Sequence, residues 1–123
     1  VDWVSGAAMM IRREVLDQVG VLDEQFFMYS EDVDICYRAK EAGWRVVFFP
    51  GASVTHARAH SSDQAPVKML VQFHRSMYRF WRKHYAKRSS LPVRVLAPAA
   101  ICLRGGLLIA KNWVDRVRGR RRR

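Results

Sequence analysis

The stretch that most limits what this chain can fold into is SEDVDICYRAKEAGW, residues 30–44, where helical spacing begins abruptly at three acids and stops at a glycine. Ile35, Ala39 and Ala42 recur at helical intervals beside Val33 and Cys36, giving a broad apolar side, and Gly43 supplies the stop. A shorter pattern, REVLDQVG at 13–20, precedes it, with Val15, Leu16 and Val19 on one face and Gly20 as a left-handed stop. Around these two helices lie candidate strands. VDWVSGAAMMI at 1–11 starts with a Ser-Gly turn and runs into a small apolar strand. RVVFF at 45–49 is β-branched and aromatic and ends at Pro50-Gly51, and residues 53–56 form a short alternating run. Strands alternating with helices predict an α/β layered domain.

The acids have a local physical rationale. Ser30 is placed to cap the helix through its hydroxyl, and Glu31 and Asp32 fall in the first turn, where the helix dipole favours negative charge. Asp34 and Arg38 are spaced to pair on the helix surface, a contribution of about 0.2–0.5 kcal/mol. Acids at a helix start are common on any helix, so this pattern alone does not distinguish a site from a charged cap.

Charge is divided unevenly along the 123 residues, a length that allows at most one domain. Residues 1–60 carry 6 Lys/Arg against 9 Asp/Glu, and residues 61–123 carry 16 against 2, so an acidic part precedes a strongly basic one. Such asymmetry suggests an anionic surface as partner. The two cysteines, Cys36 and Cys102, lack a CxxC context, which argues against a disulfide framework and for a reducing compartment. No secretory signal pattern is evident at the start, and the opening Val inside a strand-like run reads as the back portion of something longer.

Past residue 57 the composition becomes loop-like until Pro66, which suits the first position of a helix. VKMLVQFHRSMYRFWRKHY then repeats Val67, Leu70, Val71, Met77, Tyr78, Trp81 and Tyr85 at helical spacing; His74 and His84 read as helix-face residues. Ser89-Ser90 breaks that pattern. Residues 91–110 are largely apolar but interrupted by Pro92, Arg94, Pro98, Arg104 and Gly105-Gly106, and RVRGRRRR follows close behind. Three roles suit this tail. A membrane-spanning helix has the length, but each central Arg costs about 2.5–3.5 kcal/mol. A nucleic-acid arm would lack any recognition module. An in-plane element on an anionic membrane is the favoured reading.

Taken in order, SGA, IRRE, LDE, YSEDVD, AGW, Pro50 and VTH resemble the C-terminal part of family 2 inverting glycosyltransferases, closest to the rhamnosyltransferase-like members. The later HRSMYRFWRKHY extends that resemblance. It implies the acceptor-side half of a GT-A, Rossmann-like nucleotide-sugar transferase domain over residues 1–65, followed by an amphipathic helix at 66–88 and a membrane-associating tail at 89–123. It further implies that Asp32 is the general base, that Glu31 positions the acceptor, and that Trp3, Ser5 and Gly6 lie near donor sugar and acceptor. His56 would complete the coordination of a divalent metal, Mg or Mn, on the donor diphosphate. The partners implied are a nucleotide-sugar donor and a glycan or lipid-linked acceptor in bacterial cell-surface polysaccharide synthesis. The location implied is the cytoplasmic face of the bacterial inner membrane.

The chemistry accounts for these residue types. Inverting transfer is a direct displacement at the anomeric carbon, in which one base takes the attacking hydroxyl's proton. A metal neutralises charge on the departing diphosphate. The chain carries no Gly-rich phosphate loop and no Asp-x-Asp ahead of the site; Asp32-Val33-Asp34 matches by spelling only, inside a helix. These residues alone are therefore not expected to be active. The competing reading is a non-catalytic basic fragment that binds membrane or nucleic acid.

Overall fold

The computed structural model describes residues 1–56 and 66–120. The loop read at 57–65 lies outside the described residues. The chain divides into two units, Val1–Arg58 and Ala59–Arg123, each built around a pair of helices.

In the first unit a 3-10 turn, Gly6–Ala8, is followed by α1 (Arg13–Val19) and α2 (Glu31–Glu41). Both helices fall where periodicity and glycine stops predict them. The stop after α2 is a Schellman motif: the Trp44 N–H donates to the Ala39 carbonyl at 2.9 Å and the Gly43 N–H to that of Lys40 at 3.0 Å. Gly43 sits at φ +88°, where a side chain would be strained. Gly20 also has positive φ, +81°, but its ψ of 172° is extended rather than left-handed helical. The buried apolar residues of this unit are Val15, Phe26, Ile35, Cys36 and Ala39. Trp44 is only half-buried, and its indole N–H donates to Gln18 Oε1 at 2.8 Å, tying the exit of α2 to α1.

The α/β expectation is not confirmed here: the described residues contain no β-strand. Residues 1–11, 45–49 and 53–56 are irregular apart from the 3-10 turn. A strand exists only through its ladder of hydrogen bonds to a neighbour. Here the Val1 ammonium donates to the Val46 carbonyl at 3.0 Å, and no ladder follows among the described residues. Val47, Phe48 and Phe49 are consequently 63–71% exposed despite their strand-like composition. Beside them an open cavity of 470 Å³ is walled by residues including Val4, Met9, Ile35, Cys36, Trp44 and Val46. At the surface, Lys40 Nζ donates to Asp2, and that bond, with the nearby ammonium charge, holds the Asp2 carboxyl below the usual carboxylate range.

The second unit packs α3 (Pro66–His84) against α4 (Leu91–Arg120). The turn between them is held by the Ser89 N–H and hydroxyl, which both donate to the Tyr85 carbonyl at 3.0 and 2.8 Å. Arg94 reaches back into it, donating from Nε to the Ser89 carbonyl and from an NH2 group to that of Lys87. The interruptions expected in 91–110 do not break α4, which runs 30 residues through Pro98, Gly105 and Gly106.

His74, read from the sequence as a helix-face residue, is 7% exposed and belongs to the α3–α4 contact. Its Nδ1 lies 2.8 Å from the Leu70 carbonyl and its Nε2 is 3.0 Å from Arg104. A guanidinium can only donate, so Nε2 accepts and the ring proton sits on Nδ1. The Arg104 guanidinium also lies over the Phe73 ring, 5.7 Å from its centre. Gly105 permits this approach, because a Cβ there would stand 3.1 Å from the imidazole.

Candidate active site

The acids of α2 are presented by an unusual entry. Tyr29 and Ser30 have φ of +67° and +68°, the left-handed region that L-residues with side chains avoid. Two consecutive residues there turn the chain sharply into the helix, and the Asp34 N–H closes the first turn on the Ser30 carbonyl at 2.8 Å. Ser30 is the N-cap residue, but its hydroxyl makes no capping bond, contrary to the sequence expectation. In the left-handed conformation its side chain is not aimed at the amides that it would cap. Strain of this kind gathers at functional sites, where surrounding structure over-determines it.

Asp32 is half-buried at this entry. Its Oδ2 accepts from the Gly6 N–H at 3.0 Å and its Oδ1 from the Val33 N–H at 2.8 Å. The Gly6 position is close, since a Cβ there would meet the Asp32 Cβ at 3.4 Å. Ser5 shapes the turn that delivers Gly6: its hydroxyl oxygen accepts from the Ala7 N–H at 3.3 Å. Two backbone donors thus fix the carboxylate while leaving about two of its four lone-pair sites open to another donor. Beside it, Glu31 Oε2 is buried and accepts no hydrogen bond among the described residues, an arrangement that costs free energy until a donor arrives.

Asp34 is separated from this pair by burial. It is 0% exposed, and its Oδ2 takes the Arg38 Nε–H at 2.8 Å. The sequence placed this pair on the surface; in the fold it lies between α2 and the end of α1. Arg38 also donates to the Val19 carbonyl, to that of Gly20 at 3.4 Å, and to that of Val21 at 2.8 Å. Sequence reasoning missed this role, although an arginine four residues past a buried acid and a glycine stop on the facing helix together hint at it. The spelling Asp-Val-Asp is therefore no metal motif, because its second acid is occupied by a guanidinium.

The remaining candidates are less organised. Trp3 is half-exposed and His56 is exposed, and no hydrogen bond or ion pair among the described residues ties either to Asp32. Among the described residues no three His, Cys, Asp or Glu side chains gather into a group able to hold a metal. The first unit thus brings together Ser5, Gly6 and Asp32, with Glu31 preceding Asp32 in the first turn of α2.

Comparison with known proteins adds the missing context. The family described as "Glycosyltransferase like family 2" matches residues 1–77. An N-acetylglucosaminyl-diphospho-decaprenol L-rhamnosyltransferase of Mycobacterium tuberculosis is 37% identical over 112 residues, covering 91% of this chain and 36% of that protein. A rhamnosyltransferase of Escherichia coli (strain K12) is 32% identical over 81 residues, covering 65% of this chain and 30% of that protein. A pre-mycofactocin glycosyltransferase of M. tuberculosis is 34% identical over 120 residues, covering 93% of this chain and 21% of that protein. No solved structure matches the chain. The chain spans about a third of the length of the first of these relatives. A family match over more than half of the residues, with the acids of α2 inside it, makes the chain a member of glycosyltransferase family 2.

Proposed function

We propose that these residues form the acceptor side of an inverting glycosyltransferase, with Asp32 as the general base and Glu31 positioning the acceptor hydroxyl. The single observation that carries this reading is the fixed Asp32 carboxylate beside the donor-less Glu31 Oε2, at a strained helix entry. An acceptor hydroxyl would give its one proton to Asp32 as its oxygen attacks the anomeric carbon and the nucleoside diphosphate departs, while a second hydroxyl of the same acceptor would donate to Glu31 Oε2. The Gly6 and Val33 amides hold the carboxylate in direction throughout, so little reorganisation accompanies the transfer.

A divalent cation, Mg or Mn, would neutralise the leaving diphosphate in this chemistry. The described residues do not make a metal centre by themselves, and His56 alone is the contribution that the family resemblance assigns; no step here is routed through it. The donor is a nucleotide-sugar. By similarity to the mycobacterial relative, the acceptor class in this proposal is a lipid-linked sugar, and work at the cytoplasmic face of the bacterial inner membrane is proposed with it. The GT-A, Rossmann-like architecture belongs to this proposal as well. The irregular run at 45–49 has strand composition and lacks only a neighbour to pair with.

The test uses an enzyme in which these residues are joined to a nucleotide-binding half. Asp32→Asn is expected to lower kcat by about 10²–10⁴-fold with the donor KM unchanged, the usual share of a general base. Glu31→Gln should act mainly on the acceptor KM, and the product should carry the inverted anomeric configuration by NMR. An Asp32→Asn enzyme with undiminished turnover would remove the assignment.

A further inference from the structure

The face of α4 turned away from α3 is apolar for most of its length. Pro92, Leu96, Ala99, Leu103, Leu107 and Ala110 follow one another at spacings of three and four, and Val114 continues them, so all lie on one side of the helix. Leu96, Leu103 and Leu107 are 63–65% exposed, and Val95 and Trp113 beside them are as open. At 1.5 Å per residue the stripe from Pro92 to Val114 is roughly 33 Å long. The same helix is long and apolar enough, by length and composition, to cross a membrane over Leu91–Arg118.

The two arginines that interrupt the sequence do not interrupt this face. Arg94 is folded onto the carbonyls of Lys87 and Ser89, and Arg104 is drawn back onto His74 and Phe73 of α3. Lys111 and Arg118 flank the stripe on one side and are exposed. On α3, Lys68, Arg75, Arg82 and Lys83 share one face and are exposed as well. The hairpin therefore offers hydrocarbon-compatible surface on α4, with cationic groups beside it and on the companion helix.

We infer that the α3–α4 hairpin docks on an anionic lipid bilayer, with α4 lying in the membrane plane and its outer face among the acyl chains. Charge complementarity selects this occupant, because exposed lysines and arginines flank an apolar stripe as anionic headgroups flank the acyl region. The packing selects the orientation. A spanning α4 would carry Arg104 and the basic face of α3 into hydrocarbon, where ionised groups are costly. In the plane, only the stripe leaves water. The inference is independent of the glycosyl-transfer proposal, since it uses none of residues 1–56.

The experiment uses the full chain and vesicles of phosphatidylcholine with or without phosphatidylglycerol. Co-sedimentation is expected with the anionic vesicles and is expected to weaken with added salt, each basic residue near the surface contributing about fivefold. Leu103→Glu/Leu107→Glu should lower partitioning at least about 100-fold. Circular dichroism without lipid should be unchanged, because both side chains are exposed; Leu103→Ser/Leu107→Ser gives the same test without added charge. Cys102 is exposed beside the stripe, midway along it, whereas Cys36 is buried, so a fluorophore can be placed there selectively. Quenchers attached near the headgroups should quench it more strongly than quenchers at the acyl ends. Stronger quenching from the acyl ends would overturn the in-plane orientation. Failure to bind anionic vesicles, retention by duplex DNA alone, or a dimer dispersed by the same Leu pair would overturn the lipid partner.

Discussion

Replacing Arg38 with Met tests whether the Asp34–Arg38 pair is a surface ornament or the fastening between α1 and α2. The side chain keeps most of its volume but loses the bond to Asp34 Oδ2 and the donors to the carbonyls of Val19, Gly20 and Val21. The carbonyl contribution is small, because Gly20 and Val21 are exposed and water can replace the guanidinium. The carboxylate contribution is large. Asp34 has no exposure and would lose the guanidinium that balances its charge, a loss of about 3–5 kcal/mol. A unit of this size is stabilised by roughly 3–9 kcal/mol, so the substitution removes much or all of what holds it. The assay is amide hydrogen exchange across α2 in the full chain, read at Ile35 and Ala39, with Asp34→Asn and the double variant completing a cycle. The expected result is strong loss of α2 protection in Arg38→Met, substantially restored when Asp34 is also neutralised. Single costs below about 1 kcal/mol that simply add would refute the argument and return the pair to the exposed i,i+4 class.

Three further outcomes follow from backbone geometry. Ser30→Gly should stabilise the first unit by about 1 kcal/mol in urea unfolding, since it relieves a left-handed residue whose hydroxyl caps nothing. In the second unit, Gly106→Ala should raise thermal stability by up to about 1 kcal/mol, because nothing lies within 4 Å of the added methyl and alanine is the better helix former. Gly105→Ala, one residue earlier, should instead destabilise by about 1–2 kcal/mol by pressing on His74 and displacing it from Arg104.

What the sequence made legible was local. Helix α2 could be placed because periodicity, acids and Gly43 agree, and its stop follows the expected glycine chemistry in detail. Membership in the family was legible through the order of short motifs, with Asp32 and Glu31 among them. The conformation of Ser30 was not, since serine is a good cap by composition and only the path of the preceding loop forces it left-handed. The spacing of Asp34 and Arg38 told that they could meet, but not which side of α2 would be covered by α1. RVVFF has the composition of a strand, yet pairing is a property of two segments, and among the described residues it finds no second one. Helix α4 ran through a proline and two glycines because packing against α3 outweighs local propensity.

The left-handed pair at Tyr29 and Ser30 also has an evolutionary consequence. It acts as a swivel with a fixed setting: the direction of α2, and so of its leading carboxylates, is decided by two dihedral pairs and by Arg38 gripping the end of α1. The loop ahead of it, residues 21–28, shares in that setting, since its Val21 carbonyl takes Arg38 and its Phe26 is buried. On the proposed function, a change at either swivel residue is the step that re-points Asp32.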